Sequence, residues 1–329
     1  MEPQLTDLSS ISTDLLTVGA QHARDANALC NDVAAIAFPS AIAPTTDELI
    51  SAVRAKLRAV IFDIEDRLQA RAHSLSVGLP ATWFLLTHSG FLREPDLIDF
   101  MLARVAEDRL SAKIDSTPRF IAELLDHAEV GVADAAQALL AADSLHRHER
   151  GMSYKALRPE LLHQLCWRVV AAFEVSAGIR DAQMVDNARS LLSEYDEAQT
   201  LQPASRKLAH FLNDERISEL LDPETAGLHL YVAVLASRLE IDHDQVLRLM
   251  ESSSIAPLAV MLRAVGHTLD QALATIYLLK EFSLTSHDLA MLDSGFPALD
   301  QASAAEEIRR WALGRTQFLM SQQLRQNYG

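Results

Sequence analysis

The chain has 329 residues, of which 49% are hydrophobic and only 11 are glycine and 11 proline. So few turn-forming residues exclude a fold of many hairpins or a Gly-rich phosphate loop, while the apolar share suffices for a sizeable core. The 45 acidic and 29 basic residues leave a net charge of −16, which turns the chain away from nucleic acid and anionic lipid as direct partners.

The opening MEPQLTDLSS has neither the basic nor the apolar region of a secretory signal. No uncharged apolar run approaches the roughly 18 residues that span a bilayer. Cys30 and Cys166 form no Cys-x-x-Cys pair. These features set the expectation of a cytoplasmic protein with reduced thiols and no membrane partner.

Residues 7–37 read as a long helix. Leu8, Ile11, Leu15, Val18, Leu29 and Ile36 fall near heptad spacing, and His22 and Asp25 interrupt the seam. In an oligomer a buried polar pair of this kind sets register; on a monomer it marks where the seam turns to solvent. The prolines of Phe38–Pro44 break this helix. Thr45-x-x-Glu48 has the form of a capping box and opens a second helix. There Ile50, Val53, Leu57, Val60 and Ile64 hold a clean heptad seam, with Arg54, Lys56, Arg58, Asp63, Glu65, Asp66 and Arg67 on the other sides. The two helices read as an antiparallel hairpin whose seam wants a further partner. That partner is either the rest of the chain or a second copy, a homodimer through residues 7–70.

A joint over Ser74–Leu79 divides the chain into 1–75 and 76–329. Beyond it, a pattern Pro-x-apolar-apolar-x-x-apolar-apolar begins at Pro95, Pro118 and Pro159. Proline at the first helical position is preset for helix, and the apolar pairs share one face. The second offset, 41 residues, matches a two-helix repeat of about 40. Further along, Asp222-Pro223, Asp242-x-x-Gln245, Thr268-x-x-Gln271 and Ser286 open helices, and Gly266 closes one over Ile255–Val265. A last helix runs from about Ala302 to Leu324, with Arg309, Arg310, Trp311 and Arg315. Trp and Arg are enriched at interface hot spots, so this helix either docks on its own chain or anchors a foreign partner. No segment reads as a strand. The expected fold is all-α: a long N-terminal helical hairpin followed by an irregular HEAT-like helical-repeat domain.

No Gly-x-Gly, Gly-Lys-Ser/Thr, Gly-x-Ser-x-Gly or His-Glu-x-x-His occurs, so Rossmann, P-loop, hydrolase-elbow and zincin chemistry lack their geometric parts. Asp143-Ser-Leu-His146-Arg-His148-Glu149 is the densest group of metal-ligand types. On a helix His146 and His148 diverge, whereas Asp143 and His146 share a face. A site there needs ligands from a distant segment such as Asp126-His127 or Asp242-His243-Asp244. The other reading is a solvated helix end before a Gly151 turn. Cys166 follows Leu161, Leu162 and Leu165, a core face that makes it a buried, inert thiol. Trp167 either packs between hairpins or anchors an interface.

The stretch Leu157-Arg-Pro159-Glu-Leu161-Leu162-His-Gln-Leu165-Cys166-Trp167-Arg-Val169-Val170-Ala171-Ala172-Phe173 resembles the signature region of a bacterial family known as domain of unknown function 2336. Trp167, Val169, Ala171 and Ala172 fit its pattern, and Cys166 and Arg168 depart from it. The order of helices through Leu235–Leu239, Val246 and Ile255–Gly266 extends the resemblance to residues 95–282. The resemblance implies a helical, HEAT-like repeat fold and no catalytic residue or cofactor. The expected function is a non-catalytic protein-interaction or regulatory scaffold. The alternatives are an all-α metal-dependent hydrolase and a helical module for an apolar small molecule.

Overall fold

A computed structural model describes residues 15–25, 29, 33, 47–69, 79–114, 119–148, 152–178, 180–212, 216–280 and 284–328, with 79–80, 148 and 315–328 as backbone only. The Phe38–Pro44 break, Thr45, the joint after Ser74, Pro118 and the Gly151 turn lie outside these residues. Among the described residues the regular structure is helical throughout and no strand occurs. The helices in chain order are α1 (15–25), α2 (Asp47–Gln69), α3 (Leu79–His88), α4 (Pro95–Ser111), α5 (Arg119–Glu123), α6 (Val130–His148), α7 (Pro159–Ala177) and α8 (Ala182–Glu194). There follow α9 (Leu201–Phe211), α10 (Ile217–Leu220), α11 (Pro223–Ala226), α12 (Leu228–Leu239), α13 (His243–Met250), α14 (Ala256–Ala264), α15 (Leu269–Lys280), α16 (Ser286–Ala298) and α17 (Gln301–Tyr328). None of the described helices is long and apolar enough to cross a membrane.

Helix starts follow local chemistry. Pro95, Pro159 and Pro223 each occupy a first helical position, where the missing N–H costs no bond. Asp222 and Asp242 accept from the amides of Glu224 and Asp244. Thr268 and Gln271 exchange bonds as a capping box, the Thr268 amide donating to Gln271 Oε1 at 3.0 Å. At α16 the cap is Thr285, one residue before the expected Ser286. Its hydroxyl accepts from Asp288, whose carboxylate returns the bond to the Thr285 amide. Gly266, at φ +92°, turns the chain after α14 and lets the His267 amide reach Leu262 O at 3.0 Å.

The chain divides into two compact units interleaved in sequence. The first takes residues 1–29, 106–137 and 205–329, and the second takes 30–105 and 138–204.

In the first unit, α12 and α14 are core helices, apolar nearly all round. Leu228 to Leu235 are buried without a break, and α14 leaves only Arg263 partly exposed. Helices α12, α13, α15, α16 and α17 pack against α14. Trp311 of α17 is 6% exposed, and a Cβ built on Gly19 of α1 would lie 3.1 Å from its ring. Glycine here lets α1 come close to the indole.

In the second unit, the α2 seam of Val53, Leu57, Val60 and Ile64 carries no exposed surface. Helices α3, α7 and α8 pack against α2, so the partner this seam needs is the chain itself. Asp63 accepts from Ser153 Oγ (2.7 Å) and the Tyr154 amide (3.0 Å). Asn187 Nδ2 donates to Leu68 O at 2.8 Å. Glu65, expected on the solvent side, is 4% exposed, and that burial raises its carboxyl above the usual range. The α3 packing covers the flank that the heptad count leaves open.

Candidate functional site

The second unit contains a cleft of about 130 Å³. Its lining comes from Arg104 of α4, the end of α6 with Leu145 and His146, the segment 154–158, the segment 194–197, and residues 199–203. Each piece is placed by a local rule. Ser153 caps the 3₁₀ turn Tyr154–Ala156, and the Asp63 carboxylate pins that turn to α2. Pro159 then starts α7 and holds Arg158 in extended backbone at its mouth. On the other side, Asp196 caps the 3₁₀ turn Glu197–Gln199: Oδ1 accepts from the Ala198 amide and Oδ2 from Gln199 Nε2, both at 3.0 Å. The Tyr195 hydroxyl joins the two segments by donating to Leu157 O at 2.7 Å.

Charge in the cleft is sorted by segment. The cations Arg104, Lys155 and Arg158 come from α4 and the 154–158 segment, and the acids Glu194, Asp196 and Glu197 from the 194–197 segment. The guanidinium groups of Arg104 and Arg158 both lie over the Phe100 ring, 5.1 and 5.3 Å from its centroid. Stacking on one aromatic ring holds two cations that solvent would otherwise leave mobile. Burial, reinforced by Glu197, Glu160 and Asp196, pushes the Tyr195 phenol up to about 12, so it stays protonated and keeps its bond to Leu157. Thr200 Oγ1 donates to Glu197 O at 2.9 Å. The Tyr195 and Thr200 hydroxyls are thus engaged with backbone carbonyls.

The residues singled out by sequence are placed as follows. His146 lines the cleft. Asp143, 3% exposed, is bridged to Arg147 Nε at 2.7 Å, so its carboxylate is engaged as a partner for arginine. Among the described residues, no three His, Cys, Asp or Glu side chains are placed to hold one ion. His22 is half-buried on α1 and Asp25 exposed, accepting from Gln21 Nε2 at 2.9 Å. Val53, Leu57 and Val60 lie in the core. Trp167 is half-buried, its Nε1 donating to His163 Nε2 at 3.1 Å. Arg309 and Arg310 are exposed and pair with Glu306 and Glu307 on their own helix. Trp311 is buried and donates to Glu307 Oε1 at 2.8 Å, so it anchors α17 within its own unit. The Arg315 side chain lies outside the described residues. Cys166 has no exposed surface, and burial pushes its thiol up to about 11, as the core position predicts.

Sequence reasoning missed the cleft itself. One signal was present. Arg104 follows Leu97 and Met101 at helical spacing, a charge on an apolar stripe. Its partners, Arg158 and the 194–197 segment, are far away in sequence and carry no motif.

No protein-family model, curated protein or solved structure shows significant similarity to the chain.

Proposed function

We propose that the protein is a non-catalytic binding scaffold with a regulatory role, and that the cleft of the second unit is its recognition site. The observation that carries this reading is the state of the cleft's hydroxyls. Tyr195 and Thr200 are committed to backbone carbonyls, while side chains of both signs line the walls. Such a lining selects and orients a ligand, with these two hydroxyls engaged in holding the backbone rather than poised for attack. The HEAT-like repeat and the family resemblance over 95–282 belong to the same proposal. A second copy, if it joins through residues 7–70, uses exposed positions of α2 such as Phe62, 57% exposed, because the seam is filled from within.

Affinity capture with crosslinking from the source cell tests the scaffold. The expected result is a discrete partner absent from the capture of an unrelated protein of equal charge. Identical capture lists would overturn it.

A further inference from the structure

Helix α15 is attached unequally at its two ends. At the C-terminal end, Lys280 donates to Ser252 O and Lys113 donates to Leu279 O, both at 2.7 Å. The buried side chains Thr275, Ile276 and Leu279 lie in this half. Over residues 269–274, Ala272 is the one buried side chain. A single methyl group anchors far less than an isoleucine or a leucine.

What holds the N-terminal end is His267, two residues before α15. Its ring is 4% exposed and neither nitrogen has a hydrogen-bond partner. Such a ring belongs inside only while it is neutral, and burial holds it below the ordinary imidazole range. The other side of the turn is tied down. Arg263 Nε donates to Leu299 O at 2.6 Å and Gln301 Nε2 to Ala264 O at 3.2 Å, both from or onto the end of α14. Between that tied end and His267 stands Gly266, at φ +92°, a residue able to absorb a change of backbone angle.

The groups around the ring give its charged form one destination. Asp222, at the start of α11, is the charged group that acts on it, and it is exposed. Its carboxylate accepts from the Glu224 amide at 3.2 Å and from Thr225 Oγ1 at 2.6 Å, and a carboxylate has room for a further donor. The same carboxylate acts on the buried Tyr231 phenol of α12, which burial keeps protonated and neutral. Helices α14 and α16 pack against α15. In α14 the charged residue is Arg263, engaged with Leu299 O. In α16 they are the exposed His287 and Asp293 and the capping Asp288. On α15 itself Asp270 is exposed.

We propose that α15 is an acid-operated flap. When His267 takes up a proton, its ring leaves the interior for the Asp222 carboxylate. The first turns of α15 then lift and fray about Gly266, while Lys280 and Lys113 keep its last turn in place. The open form binds a proton that the closed form resists. The closed form therefore holds above about pH 6.5, and opening grows as pH falls below it. Lifting uncovers the apolar side of α15, so the surface offered to a partner changes with pH.

Hydrogen exchange of the full chain at pH 7.5 and 5.5, read residue by residue and corrected for the intrinsic rate, tests the proposal. The amides of residues 272–275 are the first that helix bonds protect. Their opening equilibrium should rise by up to about tenfold between the two pH values, while residues 277–280 keep their protection. In His267→Phe this acid response should vanish. In Asp222→Asn it should shrink a few-fold, because the amide still caps α11 but offers no charge. Two other buried histidines serve as controls: His229 of α12, 3.3 Å from Glu107, and His243 at the start of α13. A response that belongs to either appears in α12 or α13. Loss of protection spread evenly over α12–α16, or centred on α12 or α13, would overturn the flap, as would an acid response that His267→Phe retains. Should His267→Phe not fold, carbon-13 NMR of the wild-type ring decides. Its charging should run in step with exchange at 272–275, and charging without that exchange would overturn the proposal.

Discussion

Lys280 and Arg104 are both nearly sealed from solvent, one in each unit, and their surroundings use the charge differently. Lys280, at the end of α15, donates to Ser252 O just past α13 at 2.7 Å. From far away in sequence, Lys113 donates to Leu279 O at 2.7 Å. Glu251 lies 3.8 Å from Arg109 and 4.0 Å from Lys113. These cations complete helix C-termini, where carbonyls have no partner within the helix and the dipole favours positive charge. Arg104 instead lies over an aromatic ring at the wall of a cleft. The hydrogen bonds of Lys280 and Lys113 in the first unit are therefore structural, and removing them should cost stability. Charge at the exposed rim of the cleft, as at Glu197, should cost binding when removed, with stability nearly intact.

The sharpest way to break this contrast is the pair of Glu107 and His229, 3.3 Å apart and each 3% exposed in the first unit. Leaving either group buried without the other should be strongly unfavourable. Glu107→Leu is expected to lower stability by about 3–5 kcal/mol. The double variant with His229→Leu should recover much of that loss, because two apolar groups need no partners. Urea unfolding of both singles and the double gives the coupling. Strictly additive losses would mean that the pair is no unit.

Next in size is a pH effect at Lys280. Burial pulls its ammonium group down to about 8, against Glu251, which pulls it up, and with Lys113 adding to the fall. Between pH 8 and 10.5 the unfolded chain holds a proton that the folded chain has released. Stability therefore rises with pH across that window, by about 3 kcal/mol at most. Denaturation midpoints at the two ends of the window should rise more for the wild type than for Lys280→Met. Parallel profiles would count against a buried, strained cation.

A smaller effect with the same sign is expected at His267, where burial holds the imidazole below its ordinary range against the pull of Asp222. The ring is 4% exposed and neither nitrogen has a hydrogen-bond partner. As pH falls below about 6.5, the unfolded chain takes up a proton that the fold resists, and stability drops. His267→Phe should lose less stability than the wild type between pH 7.5 and 5.5.

What was legible in the sequence follows the same division between local and distant causes. Caps at Asp222, Asp242 and Thr268, the prolines that begin α4 and α7, and the Gly266 turn each depend on residues within one turn, so they could be read directly. The heptad of α2 revealed a buried seam, but a seam does not name its occupant. Here α3, α7 and α8 fill it. The interleaving of the two units was illegible for that reason, since it depends on which distant helix covers which stripe. The cleft was hidden further still. Its cations and acids are brought together by the hydrogen bond between Tyr195 and Leu157, 38 residues apart, and no spacing rule relates them. Glu65 shows the error in the other direction, a residue assigned to solvent because the heptad places it off the seam, and then covered by α3.

The smallest expected effect sets the baseline for both kinds of buried charge. Arg310 is exposed, with Nη1 3.1 Å from Glu307 and Nε 3.8 Å from Glu306 on the same helix. Exposed pairs at these spacings contribute about 0.3–0.5 kcal/mol, screened further by salt. Arg310→Ala should therefore shift the urea midpoint by no more than about 0.5 kcal/mol in stability, less at high salt. A loss above about 1 kcal/mol would mean that the last helix is held by its arginines rather than by Trp311. The indole already has a defined place beside Gly19 and Glu307, and its burial accounts for the docking without them. If Arg310 does matter, the loss should then appear in capture of a partner while the fold is unchanged. Measuring stability and capture on one variant separates a surface that holds the chain together from one that holds something else.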